Sequence, residues 1–372
     1  MAILGSMYRC ARRCSLLLLV AVISAGCAGT PPSSRLSSSS TSTVEIAALG
    51  QSTEDITDVS GGDRSGDTAV TTASEAVELD RWPLTGVQDE GIGTWPVLIA
   101  KIDNHDRARP QAGINSADVV FEEIVEGGLT RFAALFHSQQ TDLLGPIRSV
   151  RTSDFDLLRN LNRPLFANSG GNEAVLRLLQ EIEYVDVSSN AAIDAYERIE
   201  ERPSPHNLFS DTESLRTVGT SRGEGGSPPM MFVREGVDPV VAPPNPISGL
   251  DIDYGSTFVE YRWDQDNKKW VRSQNGTPHL DSDGVVVAPD VIIVQVVSYG
   301  RSRADGRSPE AVLLGEGKAL VFFNGNVIEG FWKRSEANEV TEYFDRDGQT
   351  IAMPSGSVWI ALPRVGQVEI IE

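Results

Sequence analysis

The chain has 372 residues, a formal charge of −20 at pH 7, 40% apolar residues and three cysteines. Acidity on this scale disfavours nucleic acid and bare anionic lipid surfaces as bulk partners. With so few cysteines the fold must rest on apolar burial, and a chain of this length buries most of its unfolded surface without staples.

In chain order, Arg9, Arg12 and Arg13 precede an unbroken apolar run from Leu16 to Ile23, and Ser24-Ala25-Gly26-Cys27 follows. The run is too short to span a bilayer as a helix. With small residues just before a cysteine, it reads as a secretory leader over 1–26 whose removal leaves Cys27 as a lipidation site. Either Met1 or Met7 can start this leader, since the basic residues follow both. Ser24 occupies the position where a lipobox usually carries an aliphatic residue. The competing reading, a leader that leaves a free exported thiol, is disfavoured because such a thiol is a redox liability. Cys10 and Cys14 depart with the leader, so no disulfide or cysteine zinc site is expected. The predicted location is extracytoplasmic, held to the bacterial cell membrane by a lipid anchor. Residues 27–78, rich in Ser, Thr, Gly, Pro and Asp, cannot bury enough apolar surface to order and are read as a flexible tether.

The folded part opens at Trp82-Pro83-Leu84-Thr85-Gly86. A strand over Val97 to Ile102 runs into Asp103-Asn104-His105 and then Ala108-Arg109-Pro110-Gln111. Val119 to Val125 and Leu129 to Phe136 read as a hairpin about Glu126-Gly127-Gly128. A two-residue turn at Gly127-Gly128 sets Ile124 opposite Arg131 and Glu122 opposite Ala133. Glu122, Arg131 and Glu126 then share one face, as a structural ion triad or as a pocket wall.

Gly145-Pro146-Ile147-Arg148-Ser149-Val150-Arg151 leads into a helix capped by Thr152 or Ser153. Arg148 and Arg151 just ahead of a helix start suit an anion, unless Asp154 and Asp156 satisfy them internally. Leu165-Phe166-Ala167-Asn168 and Ser169-Gly170-Gly171 form a second strand-to-helix junction, with helix over 172–179. It lacks both Gly-Lys-Ser/Thr and GxGxxG, reads as a tight turn, and implies no cofactor. Among His105, His137, His206 and His279 there is no i, i+4 pair, so no metal site is predicted. His206-Asn207, in a loop with Pro203 and Pro205, is the best placed for function. It can equally serve to pin that loop.

Residues 223–250 read as a connection rich in Gly and Pro, and 251–372 as β structure. Phe258 to Trp263 and Lys269 to Arg272 flank one turn; Ala319 to Phe323 and Val327 to Trp332 flank Asn324-Gly325. Val291 to Val297, Thr341 to Phe344 and Ser357 to Leu362 add strands, fitting a small sandwich or partly open barrel. Trp263, Trp270, Trp332 and Trp359 are read as core packing. The fold class expected is α+β, a mixed α/β N-terminal domain over 79–222 followed by a mainly antiparallel β C-terminal domain.

The motif segments from Trp82 through Gly145-Pro146-Ile147-Arg148 to Pro205-His206-Asn207, in this order, resemble the YerB-type lipoproteins. So do Phe322-Phe323-Asn324-Gly325, Gly330-Phe331-Trp332-Lys333 and Trp359. The resemblance, to a bacterial family with N- and C-terminal DUF3048 domains, covers Trp82 to the end. It implies an anchored envelope protein of two domains and brings no reaction with it.

The residues themselves point to binding rather than catalysis. Asn104, Arg109, Arg131, Arg148, Arg151, His206 and Asn207 are the expected ligand-binding set, for an anionic cell-wall polymer or an envelope protein. The alternative is an enzyme acting on cell-wall glycan or peptide, with Asp103, Glu122 or Glu126 and His206 as acid and base groups. Nearby arginines work against the protonated carboxyl such an enzyme needs.

Overall fold

Apolar residues at successive positions of a strand require a layer on each side. The computed structural model, which describes residues 80–223, 225–235 and 245–372, supplies both layers. Strands β1 (Leu98–Asp103), β2 (Val119–Ile124) and β3 (Thr130–Phe136) are buried at every position. Helix α1 (Asp154–Arg159), β4 (Leu165–Ala167), α2 (Glu173–Leu179), β5 (Val185–Asp186), β6 (Glu197–Arg198), β7 (Leu208–Phe209) and α3 (Thr212–Ser221) follow. Then come β8 (Gly249–Asp253), β9 (Phe258–Asp264), β10 (Lys269–Gln274), β11 (Thr277–Pro278), β12 (Val291–Gln295), β13 (Tyr299–Arg301) and β14 (Pro309–Ala311). The chain closes with β15 (Gly315–Phe323), β16 (Asn326–Arg334), β17 (Glu342–Asp345), β18 (Val358–Ala361) and β19 (Val368–Ile371).

Ten strands form one sheet in the order β17-β16-β15-β12-β18-β2-β3-β1-β4-β5. A second sheet of five runs β11-β10-β9-β8-β19. The expected class holds, a mixed sheet in the N-terminal half and antiparallel strands beyond it. The expected self-contained sandwich or barrel does not form. Strands β12 and β15 to β18 extend the large sheet instead, with β18 parallel to both β12 and β2. Val358 and Ile360 sit beside Val119 and Phe121, so apolar side chains continue across the junction.

One face of the large sheet packs Ile99, Leu135, Phe121, Ile293, Val321 and Ile360 with Phe155 and Leu158 of α1 and Val175 and Leu179 of α2. The other packs Leu98, Phe132, Ile292 and Phe322 with Leu250, Val259, Tyr261 and Trp270 of the small sheet. Trp270, Trp332 and Trp359 are core residues, and Trp263 packs tilted on Trp270 at 5.0 Å between centroids.

The β2–β3 hairpin differs by one residue from the predicted register. Glu123 lies opposite Arg131 and Glu122 opposite Phe132. The loop spans Glu126, Gly127 and Gly128, closed by the Val125 N–H on Leu129 O at 2.8 Å. Gly127 and Gly128 both have φ of 74°. Ser256 holds the turn, its Oγ donating to Gly127 O at 2.7 Å and its N–H to Gly128 O at 3.1 Å. A Cβ on Gly128 would meet Ser256 N at 2.8 Å, so the tertiary contact demands glycine there. A slip of one residue sends each side chain to the other face, and the predicted Glu122, Arg131, Glu126 face is therefore not formed.

Glu122 points instead at the small sheet. Arg272 Nη2 donates to its Oε1 and Oε2 at 2.9 and 3.0 Å, Thr130 Oγ1 donates at 2.9 Å and Trp359 Nε1 at 3.1 Å. Arg272 Nη1 also donates to Nδ1 of His279, whose Nε2–H reaches Gln111 Oε1 at 2.8 Å. His279 is thus neutral, and burial with Arg272 alongside holds it well below its ordinary value. Arg272 lies 5.0 Å from the Trp359 ring centroid, adding cation–π contact to the pair. This network fixes how the two sheets meet. Arg272→Ala leaves Glu122 buried and unpaired and is expected to cost about 3–5 kcal/mol in urea unfolding. The paired replacement Glu122→Leu with Arg272→Met should recover most of that loss.

Candidate functional site

Strand direction places the polar groups. Strands β5, β4, β1, β2, β18 and β12 all run the same way, so their carboxyl ends line one edge of the sheet. Such an edge is where open α/β sheets hold ligands, because loops rather than packed strands end there. Here β1 ends in Asp103, β4 runs into Asn168, and β3 begins with Thr130 and Arg131. The segment 147–151 threads between them, with Arg148 N–H on Lys101 O at 2.7 Å and Val150 N–H on Gly170 O at 3.0 Å.

Arg131, Arg148 and Arg151 converge at this edge. Arg131 is 7% exposed and donates one hydrogen bond, from Nη1 to Ser149 O at 3.1 Å. Among the described residues no carboxylate lies within ion-pair distance of it. Burial, then repulsion from Arg151 and Arg148, pushes its guanidinium down to about 10, against the pull of Asp103 and Glu126. Arg148 Nε approaches Asp103 Oδ2 at 2.9 Å without aiming its hydrogen at it, an ionic contact rather than a hydrogen bond. Arg151 Nη2 reaches Glu126 Oε2 at 3.1 Å, and Ser308 Oγ donates to Glu126 Oε1 at 2.5 Å. Burial opposes the charge on Glu126, but the hydrogen bonds from Ser308 and Arg151 outweigh it and hold this carboxyl at about 2.

His206 joins the same cluster. Its Nδ1–H donates to Asp103 Oδ2 at 2.7 Å, and its ring stacks on His105 at 4.7 Å. Asp103 thus bridges His206 and Arg148 through one oxygen. The other predicted residues lie elsewhere. Asn104 donates to Thr130 Oγ1 and Gln274 Oε1 at 2.7 and 2.9 Å, inside the network between the sheets. Arg109 pairs with Asp106 at 2.8 Å and reaches Gln274 O at 3.4 Å. Asn207 accepts from Arg198 Nη1 at 2.8 Å, and its backbone carbonyl receives the Ile199 N–H, which pins its loop. Ser153 Oγ accepts from Ala311 N–H at 2.9 Å and Thr152 Oγ1 donates to Ser302 Oγ, so neither side chain caps α1. Cys27, the leader and the tether lie outside the described residues.

Sequence reasoning missed Lys101 and Glu123, and it set Asp154 against the arginines, although only the Arg151 N–H reaches it and its other oxygen goes to a buried lysine. Lys101 Nζ bonds Glu123 Oε1 and, at 2.7 Å, Asp154 Oδ1, with all three side chains buried. A lysine inside the apolar run Leu98–Asp103 was the available signal, since a charge buried in a strand must find partners. Asp154 Oδ2 also accepts the Arg151 N–H at 2.7 Å, whereas Glu123 Oε2 is buried without a donor. Burial pushes Glu123 up to about 7, Lys101 opposing and Asp154 reinforcing the rise.

These features define a two-sheet α+β protein with an arginine-lined edge, and comparison with known proteins gives its family. Family models described as "Protein of unknown function (DUF3048)", N-terminal and C-terminal domains, match residues 84–225 and 250–360. The chain belongs to the DUF3048 family, that of the YerB-type lipoproteins. It is 30% identical over 290 residues to "Putative lipoprotein YerB" of Bacillus subtilis (strain 168), covering 75% of this chain and 84% of that one. The crystal structure of the Bacillus subtilis YerB protein matches with a TM-score of 0.69 at 26% identity, over 78% of this chain and 99% of that chain.

Folded Glu123 keeps a proton that the unfolded chain releases near 4.5, so its contribution to stability falls as pH rises from there through about 7. Burial holds His137 down to about 4, which adds stability over part of that range, so the comparison must be with a variant. Between pH 5 and 7 the wild type should lose stability relative to Glu123→Gln by up to about 1.4 kcal/mol per pH unit, read as urea midpoints.

Proposed function

We propose that this is an exported, lipid-anchored envelope protein that binds an anionic envelope component through Arg131, Arg148 and Arg151. The observation that carries the proposal is Arg131, a buried guanidinium with no carboxylate partner among the described residues. Burying an unpaired charge is costly, and two more guanidiniums beside it raise the cost. An anionic ligand is the partner that would offset both. The name of the Bacillus subtilis relative supports the lipoprotein part, as do Cys27 and the leader-like segment before it. Free exported thiols are disfavoured, and the acid-rich tether after Cys27 fits a domain held off the membrane.

The enzyme alternative has one observation in its favour. Asp103 holds His206 through Nδ1, the way a carboxylate orients an imidazole base. Its other expected members are committed elsewhere, Glu122 to Arg272 and Glu126 to Arg151 and Ser308. Incubating the protein with purified envelope fractions, followed by mass analysis of bound and cleaved species, separates binder from enzyme.

Arg131→Met combined with Arg148→Ala is expected to lower retention of envelope material by about tenfold or more, the value of charge-assisted hydrogen bonds. The single variant Arg131→Met should keep or raise the urea midpoint, because it removes an uncompensated charge. Unchanged retention by the folded double variant would remove the binding proposal.

A further inference from the structure

We infer that the Arg131 site takes up an oxyanion together with one proton, and that Glu123 is the group that receives it. This rests on the anion-binding reading above and adds a coupling to it.

The β2–β3 register sets Glu123 directly opposite Arg131 on the same face. Cross-strand partners have Cβ atoms about 5 Å apart, close enough for the charge on one to be felt by the other. Behind them a single ammonium, Lys101, serves two buried carboxylates. Two carboxyl groups sharing one cation in a dry site cannot both ionise freely. Asp154 has both oxygens engaged, by Lys101 and by the Arg151 N–H. Glu123 alone has an oxygen left over, the buried Oε2, and that is where a proton is accommodated.

Around Glu123, Lys101 on β1 and Arg151 ahead of α1 favour the ionised form, and Asp154 on α1 opposes it. Arg131, its cross-strand partner on β3, places another positive charge on the same face. Glu122 faces the other way, paired with Arg272, and Tyr299 on β13 is held neutral by burial. An anion on Arg131 cancels part of the favourable set and brings a like charge near Glu123. The carboxyl then binds its proton more tightly. By reciprocity the anion binds more weakly once Glu123 has lost that proton. The bond formed is O–H on Glu123 Oε2, and the proton comes from solvent.

His206 also borders the edge, through its bond to Asp103. The two are separable by substitution. Diethyl phosphate is a suitable probe because its single charge does not change between pH 6 and pH 8. Its dissociation constant for the full chain in detergent would be measured by titration at both ends of that range. The expected result is binding about fivefold weaker at pH 8, the part of a one-unit coupling on a carboxyl near 7 that develops between these two pH values. Glu123→Gln is expected to bind with one pH-independent constant close to the wild-type value at pH 6, while His206→Gln keeps the dependence. Calorimetry of the wild type at pH 7 in buffers of different ionisation heat should count an uptake between zero and one proton. A dependence that survives in Glu123→Gln, or disappears in His206→Gln, overturns the inference and leaves anion binding standing. Absence of binding at either pH, or equal binding by Arg131→Met, overturns the anion-binding reading itself.

Discussion

Strand β2 carries two adjacent carboxylates, Glu122 and Glu123, into a sheet that is covered on both sides. Side chains alternate along a strand, so one acid must face the small sheet and the other the helices, and neither meets water. Each needs its own cation, supplied by Arg272 on one side and Lys101 on the other. The two solutions differ in kind. Glu122 is saturated by arginine, threonine and tryptophan donors and behaves as a fixed joint between sheets. Glu123 shares its lysine with Asp154 and keeps an unsatisfied oxygen.

That difference orders the rest of the molecule. The saturated side is structural, and its network absorbs Asn104, Gln111, Gln274 and His279 away from solvent. The unsaturated side lies next to the carboxyl ends of β1 and β4, where Arg131, Arg148, Arg151, Asp103 and His206 gather. Charge that is incompletely balanced in a buried place is the property expected of a site rather than of a scaffold, since a scaffold gains nothing by leaving it so.

Local chemistry made much of this readable in advance. Asn324-Gly325 was expected to turn a hairpin, and it does, as a two-residue turn with φ of 51° and 71° and Phe323 opposite Asn326. Arg148 and Arg151 were singled out because both lie just ahead of a helix start, and both come to the edge beside Arg131. The register of the β2–β3 hairpin was not readable, because Ser256, far along the chain, holds its turn. The fate of Arg272 was equally hidden: at the end of a predicted strand it looks like a surface residue, and only sheet-on-sheet packing gives it Glu122. Long-range contacts decided these cases, and no local pattern encodes them.

Strand β18, near the end of the chain, sits in the middle of the large sheet between β12 and β2. The amino-terminal strands β1 to β5 therefore have an open edge at β2 until residues 358–361 arrive. Contacts of such sequence separation form slowly, and a waiting strand edge invites wrong pairing. If the protein is made on one side of a membrane and used on the other, this topology favours crossing it unfolded. The sheet then closes only once β18 is across, which makes this late strand a built-in delay on folding.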